Sequence, residues 1–132
     1  MLSEQIRKFM EVDAMDGINI VPDLIYIASP YWDEDMKLRQ KRVEKVQLFT
    51  AQCINKGYLV LSPVAYTSQF QDLCDPPAGW YKFTQHLLSK CGRMWVCNEI
   101  PGWEQSLGIQ YEIAFARGAG IPIEYKGLGD IK

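Results

Sequence analysis

Four short apolar runs punctuate the chain: Leu24-Ile25-Tyr26-Ile27-Ala28, Tyr58-Leu59-Val60-Leu61-Ser62, Met94-Trp95-Val96-Cys97-Asn98 and Ile121-Pro122-Ile123-Glu124-Tyr125. They are continuous rather than alternating, the pattern of strands buried on both faces of a sheet. Helical spacing fills the segments between them. Asp33 is expected to cap a long helix, with Met36, Val43, Val46, Thr50 and Cys53 along one face and Lys56-Gly57 at its end. Residues 81–90 predict a second helix ending near Gly92, and Ser106 to Gly118 a third. Residues 1–17 predict a short amphipathic helix with Ile6, Phe9 and Met10 on one side, stopped by Asp16-Gly17. Residues 64–79, with Pro76-Pro77 and Gly79, read as a long loop, and residues 127–132 as a loose tail.

Strands alternating with helices imply βαβ units and a parallel sheet. In such sheets the ligand crevice lies beyond the carboxyl ends of the strands. Ser29 follows the first run, Ser62 the second and Ser106 the third, so these hydroxyls are expected to converge on one edge.

The third helix carries an anomaly. At about 100° per residue, Ile109, Ile113 and Ala116 make an apolar stripe, while Gln110 and Arg117 mark the wet edge. Glu112 falls between Ala116 and Phe115, away from that edge. A carboxylate there must be paired, neutralised or used, which makes Glu112 the leading functional candidate. Its plain alternative is a buried acid satisfied by a tyrosine or a backbone donor.

Composition narrows the class. A length of 132 residues suits one domain, with residues 1–22 as a helical extension. The N-terminus lacks the apolar core of a secretory signal and no run is long enough for a membrane span, so a cytoplasmic protein without a membrane partner is expected. A net charge of −2 provides no field to attract a nucleic acid polymer. Cys53, Cys74, Cys91 and Cys97 form no C-x-x-C pair and His86 is the single histidine, so no metal site is expected; three of these cysteines sit in apolar stretches and read as core residues.

The remaining candidates each have two readings. Ser106 is a natural N-cap, and Gly108 would let a ligand approach the first turn, whose free N–H groups favour an anion such as phosphate. Tyr26 is ordinary strand filler or a hydroxyl partner for a carboxylate across the crevice. Lys37, Arg39, Lys41, Arg42 and Lys45 are most simply the solvated face of the long helix, although Arg39 or Arg42 could reach a phosphate. Trp32, Tyr66, Trp80 and Trp103 fall in expected loops at the ligand edge and suit either a stacked base or loop packing.

The succession Tyr26-Ile27-Ala28-Ser29-Pro30-Tyr31, Gly57-Tyr58-Leu59-Val60-Leu61-Ser62-Pro63, then Gly102-Trp103-Glu104-Gln105-Ser106-x-Gly108 with Glu112, resembles the nucleoside 2-deoxyribosyltransferase-like superfamily, nearest its DUF1937-type branch of bacteria and phages. The resemblance runs from about Leu24 to Tyr125. It implies a flavodoxin-like three-layer α/β/α sandwich with four to five parallel strands, no cofactor, and a homo-oligomer, dimeric or larger, acting on a small nucleotide or nucleoside. It also implies that Glu112 is the nucleophile in cleavage or transfer of an N-glycosidic bond and that Tyr26 positions it. Ser29, Pro30, Ser62, Ser106 and Gly108 would contact the substrate. Serine at Ser106 matches the deoxynucleoside 5′-monophosphate hydrolases rather than the nucleoside transferases, which carry aspartate there.

The chain departs from that pattern at Thr84, where an aspartate serving the leaving base is usual, at Gly92, where a second is common, and at Gln110, which is often glycine. His86 or Asp75 could substitute for the missing acid. Three functions follow: an N-glycosidase or transferase, a nucleotide binder of the same fold without efficient turnover, and an interaction module in which Glu112 is structural.

Overall fold

The computed structural model describes residues 3–4, 20–73 and 77–132. Apart from residues 3–4, the helix expected over 1–17 lies outside them, as does Asp75. Four strands form an all-parallel sheet: β1 (Val21–Ala28), β2 (Val60–Leu61), β3 (Cys91–Cys97) and β4 (Ile123–Lys126), in spatial order β2-β1-β3-β4. The helices are α1 (Met36–Asn55), α2 (Pro63–Thr67), α3 (Pro77–Leu88) and α4 (Leu107–Ala119).

Side chains of a strand alternate between faces, and both faces here are buried. Ile25 and Ile27 of β1 and Trp95 and Cys97 of β3 pack with Val46, Phe49 and Cys53 of α1 and Val64 of α2. Tyr26, Ala28, Met94 and Val96 pack on the other side with Leu88 of α3 and with Ile109 and Ala116 of α4. This is a three-layer α/β fold, as the continuous apolar runs predict. Parallel connections are right-handed, so strands added on opposite sides of β1 require helices on opposite faces. α1 leads to β2 on one side, and α3 leads to β3 on the other. The order therefore reverses between β1 and β3, which opens a crevice at their carboxyl ends.

Several local expectations are corrected. Asp35, not Asp33, caps α1: its Oδ1 accepts the Lys37 N–H at 2.9 Å, while Asp33 Oδ1 accepts the Asp35 N–H at 2.8 Å in the preceding turn. Met36 does not join the core face of α1 but is 73 % exposed; the buried stripe is Arg42, Val46, Phe49 and Cys53. β2 is two residues long because Pro63 starts α2 at once, with Pro63 at the head of that helix. The loop expected over 64–79 thus holds α2, a 3₁₀ turn at Gln71–Leu73 and the start of α3 at Pro77. Pro63 and Pro77 open these helices, because a first-turn N–H has no intrahelical acceptor and a proline there forfeits no helical bond.

The C-terminus is not a loose tail. The Leu128 N–H donates to Glu99 Oε2 at 3.1 Å and the Gly127 N–H to Asp130 Oδ2 at 2.7 Å. Ile131 is 7 % exposed and joins the α1-side core. Ile131→Ala should lower stability by about 2 kcal/mol in urea unfolding, the low end for a buried isoleucine near the surface. A change below about 0.5 kcal/mol would show that the segment is not docked in solution.

Candidate active site

A cavity of about 900 Å³ opens at the β1/β3 switch point. That is ample for a small-molecule ligand. Tyr26 and Ser29 of β1 and its following residue reach it from the sheet, and Ser106, Gly108 and Glu112 reach it from α4. Trp32, Trp80 and Tyr81 supply aromatic walls.

α4 is aimed by its cap. Ser106 Oγ accepts the Ile109 N–H at 3.3 Å, and Ser106 O accepts the Gln110 N–H at 3.0 Å. The N–H groups of Leu107 and Gly108, the first two of the helix, have no intrahelical acceptor and stand at its positive end. A Cβ on Gly108 would meet only Ser106 Oγ, at 3.7 Å, so the protein leaves the space over this turn open. Ile109 and Ala116 seat the neighbouring stripe of the helix in the core, and Glu112, about 40° to 60° round from them, reaches the cavity.

Glu112 is half-buried, and burial raises its pKa from 4.5 to about 7, with the Tyr26 hydroxyl opposing the rise. Tyr26 is fully buried, its pKa held well above the ordinary value, chiefly by desolvation and then by the Glu112 charge. Thr84 acts on Tyr26 in the opposite sense. These side chains influence one another's protonation, although the Tyr26 hydroxyl makes no hydrogen bond of full geometry among the described residues. Catalytic hydrogen bonds commonly tighten only when substrate binds.

The other sequence candidates separate. Pro30 is fully buried behind the wall, and Ser62 stands at the head of α2; neither lines the cavity, although Pro63 and Val64 do. Tyr66 packs edge-on against Phe70 at 5.2 Å, and Trp103 lies against Tyr125 at 5.7 Å, so these two aromatics serve packing. Thr84 is buried at the cavity and its Oγ1 donates to Tyr81 O at 3.3 Å; it offers no ionisable group. His86 is exposed and does not line the cavity. Cys53, Cys91 and Cys97 are buried thiols with pKa values pushed upward by desolvation, Cys53 to about 11 and Cys91 to about 12.

One cavity residue contradicts its sequence reading. Arg42 is not on a solvated face; it is 7 % exposed and lines the cavity. It shares a stripe with Val46, Phe49 and Cys53, so the anomaly that marks Glu112, a charge on an apolar helix face, also marks Arg42. Gly102 also lines the cavity, and its φ of +86° suits glycine.

The fold and cavity define a parallel α/β protein with a desolvated carboxylate at its switch point. The family described as a domain of unknown function, DUF1937, matches residues 23–126, and the chain belongs to it. No curated protein matches the chain. Among the described residues, no helix is long and apolar enough to cross a membrane.

Proposed function

We propose that the protein cleaves the N-glycosidic bond of a (deoxy)nucleotide, a 5′-monophosphate, with Glu112 as nucleophile. The observation that carries this reading is the Glu112 carboxyl, raised by burial to about 7 and placed with a buried tyrosine inside a ligand-sized cavity next to a helix N-terminus. The likeness of its motifs to the nucleoside 2-deoxyribosyltransferase-like superfamily supports the same assignment. In the first step a carboxylate oxygen of Glu112 bonds to the anomeric carbon, and the N-glycosidic electron pair leaves with the base, which takes a proton from water. In the second, water adds to that carbon, the ester bond returns its electrons to Glu112, and the free sugar phosphate leaves. Another base in place of water would make the reaction a transfer.

The pH dependence follows from the raised pKa. Only ionised Glu112 attacks, so kcat/KM should rise about tenfold per unit below pH ~7 and level off above it. Initial rates across this range check the sign; a flat profile through neutrality removes Glu112 as the titrating nucleophile. The activity itself is tested by incubation with a panel of deoxynucleoside monophosphates and chromatography for free base. Release above a Glu112→Ala control supports cleavage, and none across the panel opposes it.

Thr84 favours a second reading, a nucleotide-binding protein of the same fold with little turnover. A general acid contributes typically about 10² to 10⁴ in rate, and the residue at that position is a threonine whose hydroxyl donates to a backbone carbonyl. Calorimetric binding without base release would support this alternative.

A further inference from the structure

Arg42 carries a positive charge that the protein does not balance. Its Nε donates to Pro101 O at 3.1 Å, and its Nη1 donates to Trp32 O at 3.0 Å and to Tyr31 O at 3.4 Å. Carbonyls orient a guanidinium but bring no net charge. Among the described residues Arg42 makes no ion pair; the pair present is Lys126–Glu124 at 3.3 Å. A cation 7 % exposed and without a counter-ion is costly unless something anionic arrives. Nη2 has no protein acceptor among the described residues and sits where a side chain on residue 102 would begin, so Gly102 leaves it room.

Two further observations fall on the same cavity. Ser29 is 7 % exposed, lines it, and its Oγ has no hydrogen-bond partner. The start of α4 supplies two N–H groups and the positive end of a 13-residue helix. Asp33 and Glu112 also line the cavity, and Asp33 follows Trp32, whose carbonyl holds Arg42. Asp33 is in addition held by the Asp35 N–H.

We propose that Arg42, Ser29 and the first turn of α4 form one anion subsite, and that Arg42 makes the protein select a phosphorylated substrate over the neutral nucleoside. The choice of a nucleotide as that substrate rests on the function proposed above; the anion subsite does not. The Nε and Nη1 donors of Arg42 are taken by carbonyls of the loops after β1 and after β3. Nη2 keeps its two N–H groups, so a phosphate would be met by one nitrogen here, not by a fork.

The test has two readouts on the full chain. Millimolar inorganic phosphate, against chloride at matched ionic strength, should raise the melting temperature by about 3 °C or more. Arg42→Gln should lose that rise, Ser29→Ala should lose part of it, and Glu112→Gln should keep it. In the Glu112→Gln background, calorimetry should find dUMP bound about ten- to a hundredfold more tightly than deoxyuridine. Arg42→Gln should erase that preference. If Arg42→Gln weakens both ligands equally, Arg42 is only a clamp for the two loops and the proposal fails. If Arg42→Gln does not fold, Ser29→Ala and Arg42→Lys decide: a phosphate response unchanged in both overturns the subsite. The two readings fail separately. A phosphate response that needs Arg42 in a protein releasing no base keeps the subsite and removes the glycosidase. Base release without any phosphate response does the reverse.

Discussion

Glu112→Gln should abolish base release, by about 10⁴-fold or more, and at the same time make the protein more stable above neutrality. The loss follows from removing the carboxylate proposed as nucleophile; loss of a nucleophile commonly costs this much or more. The gain follows from linkage. The folded-state pKa of Glu112 is raised from 4.5 to about 7 by burial. Below pH ~4.5 both states hold the proton and the group is neutral in its effect. As pH rises, the unfolded chain ionises first, so the stability associated with the protonated form is lost progressively up to pH ~7 and is gone above it. A neutral glutamine escapes that loss, so at pH 8 the variant should gain about 2 to 3 kcal/mol, and at pH 4 almost nothing. Urea unfolding at the two pH values measures both. Equal stability at pH 8 would mean that the carboxylate is well solvated, and its claim to a nucleophile's environment would fall.

Gly92→Ala should lower stability by about 3 kcal/mol or more, and Gly92→Asp should not restore an acid to the site. β1 pairs with β3 at Val21–Cys91 and again at Ile25–Arg93, so three residues of β1 bulge opposite the single residue Gly92. The bulge brings the Pro22 carbonyl onto the Cα of Gly92, and any Cβ there would overlap the Pro22 backbone. The Val21 N–H donates to Lys90 O at 2.9 Å and the Ile25 N–H to Leu59 O at 2.9 Å, which fixes the strand on both sides of the bulge. Neither backbone can yield cheaply, unlike a flexible side chain. The midpoint of urea unfolding checks this; a Gly92→Ala midpoint near that of the wild type would contradict the close approach. An aspartate at residue 92 is therefore excluded here by strand geometry, independently of any change in chemistry.

Much of this architecture is legible in the residues. The runs at Leu24–Ala28 and Met94–Cys97 are apolar at every position because Ile25 and Trp95 face one helical layer and Tyr26 and Met94 the other. That alone indicates a parallel sheet covered on both sides, and with it a crevice beyond the strand ends. The placement of Glu112 against Ile109 and Ala116 is likewise a matter of helical angle. What stays hidden depends on long-range geometry. Pro63 and Pro77 read locally as breaks, yet each stands at the head of a helix. Asp33 and Asp35 are equivalent caps by type, and the turn in which Asp33 accepts the Asp35 N–H leaves Asp35 as the cap. Arg42 sits within a basic run, and the run masked its place on the apolar stripe. Leu128 and Ile131 are isolated apolar residues in a short tail, and nothing local shows the open edge of the core that Ile131 fills.

The central claim is that Glu112 becomes covalently bound to sugar during turnover. It is tested most directly by acid-quenching the protein within the first turnovers on a deoxynucleoside 5′-monophosphate and mapping the peptide spanning residues 107–117 by mass spectrometry. The account predicts one deoxyribose 5-phosphate attached to Glu112, absent in Glu112→Gln. Base release that persists in Glu112→Gln, with no adduct on that peptide in the wild type, would contradict it.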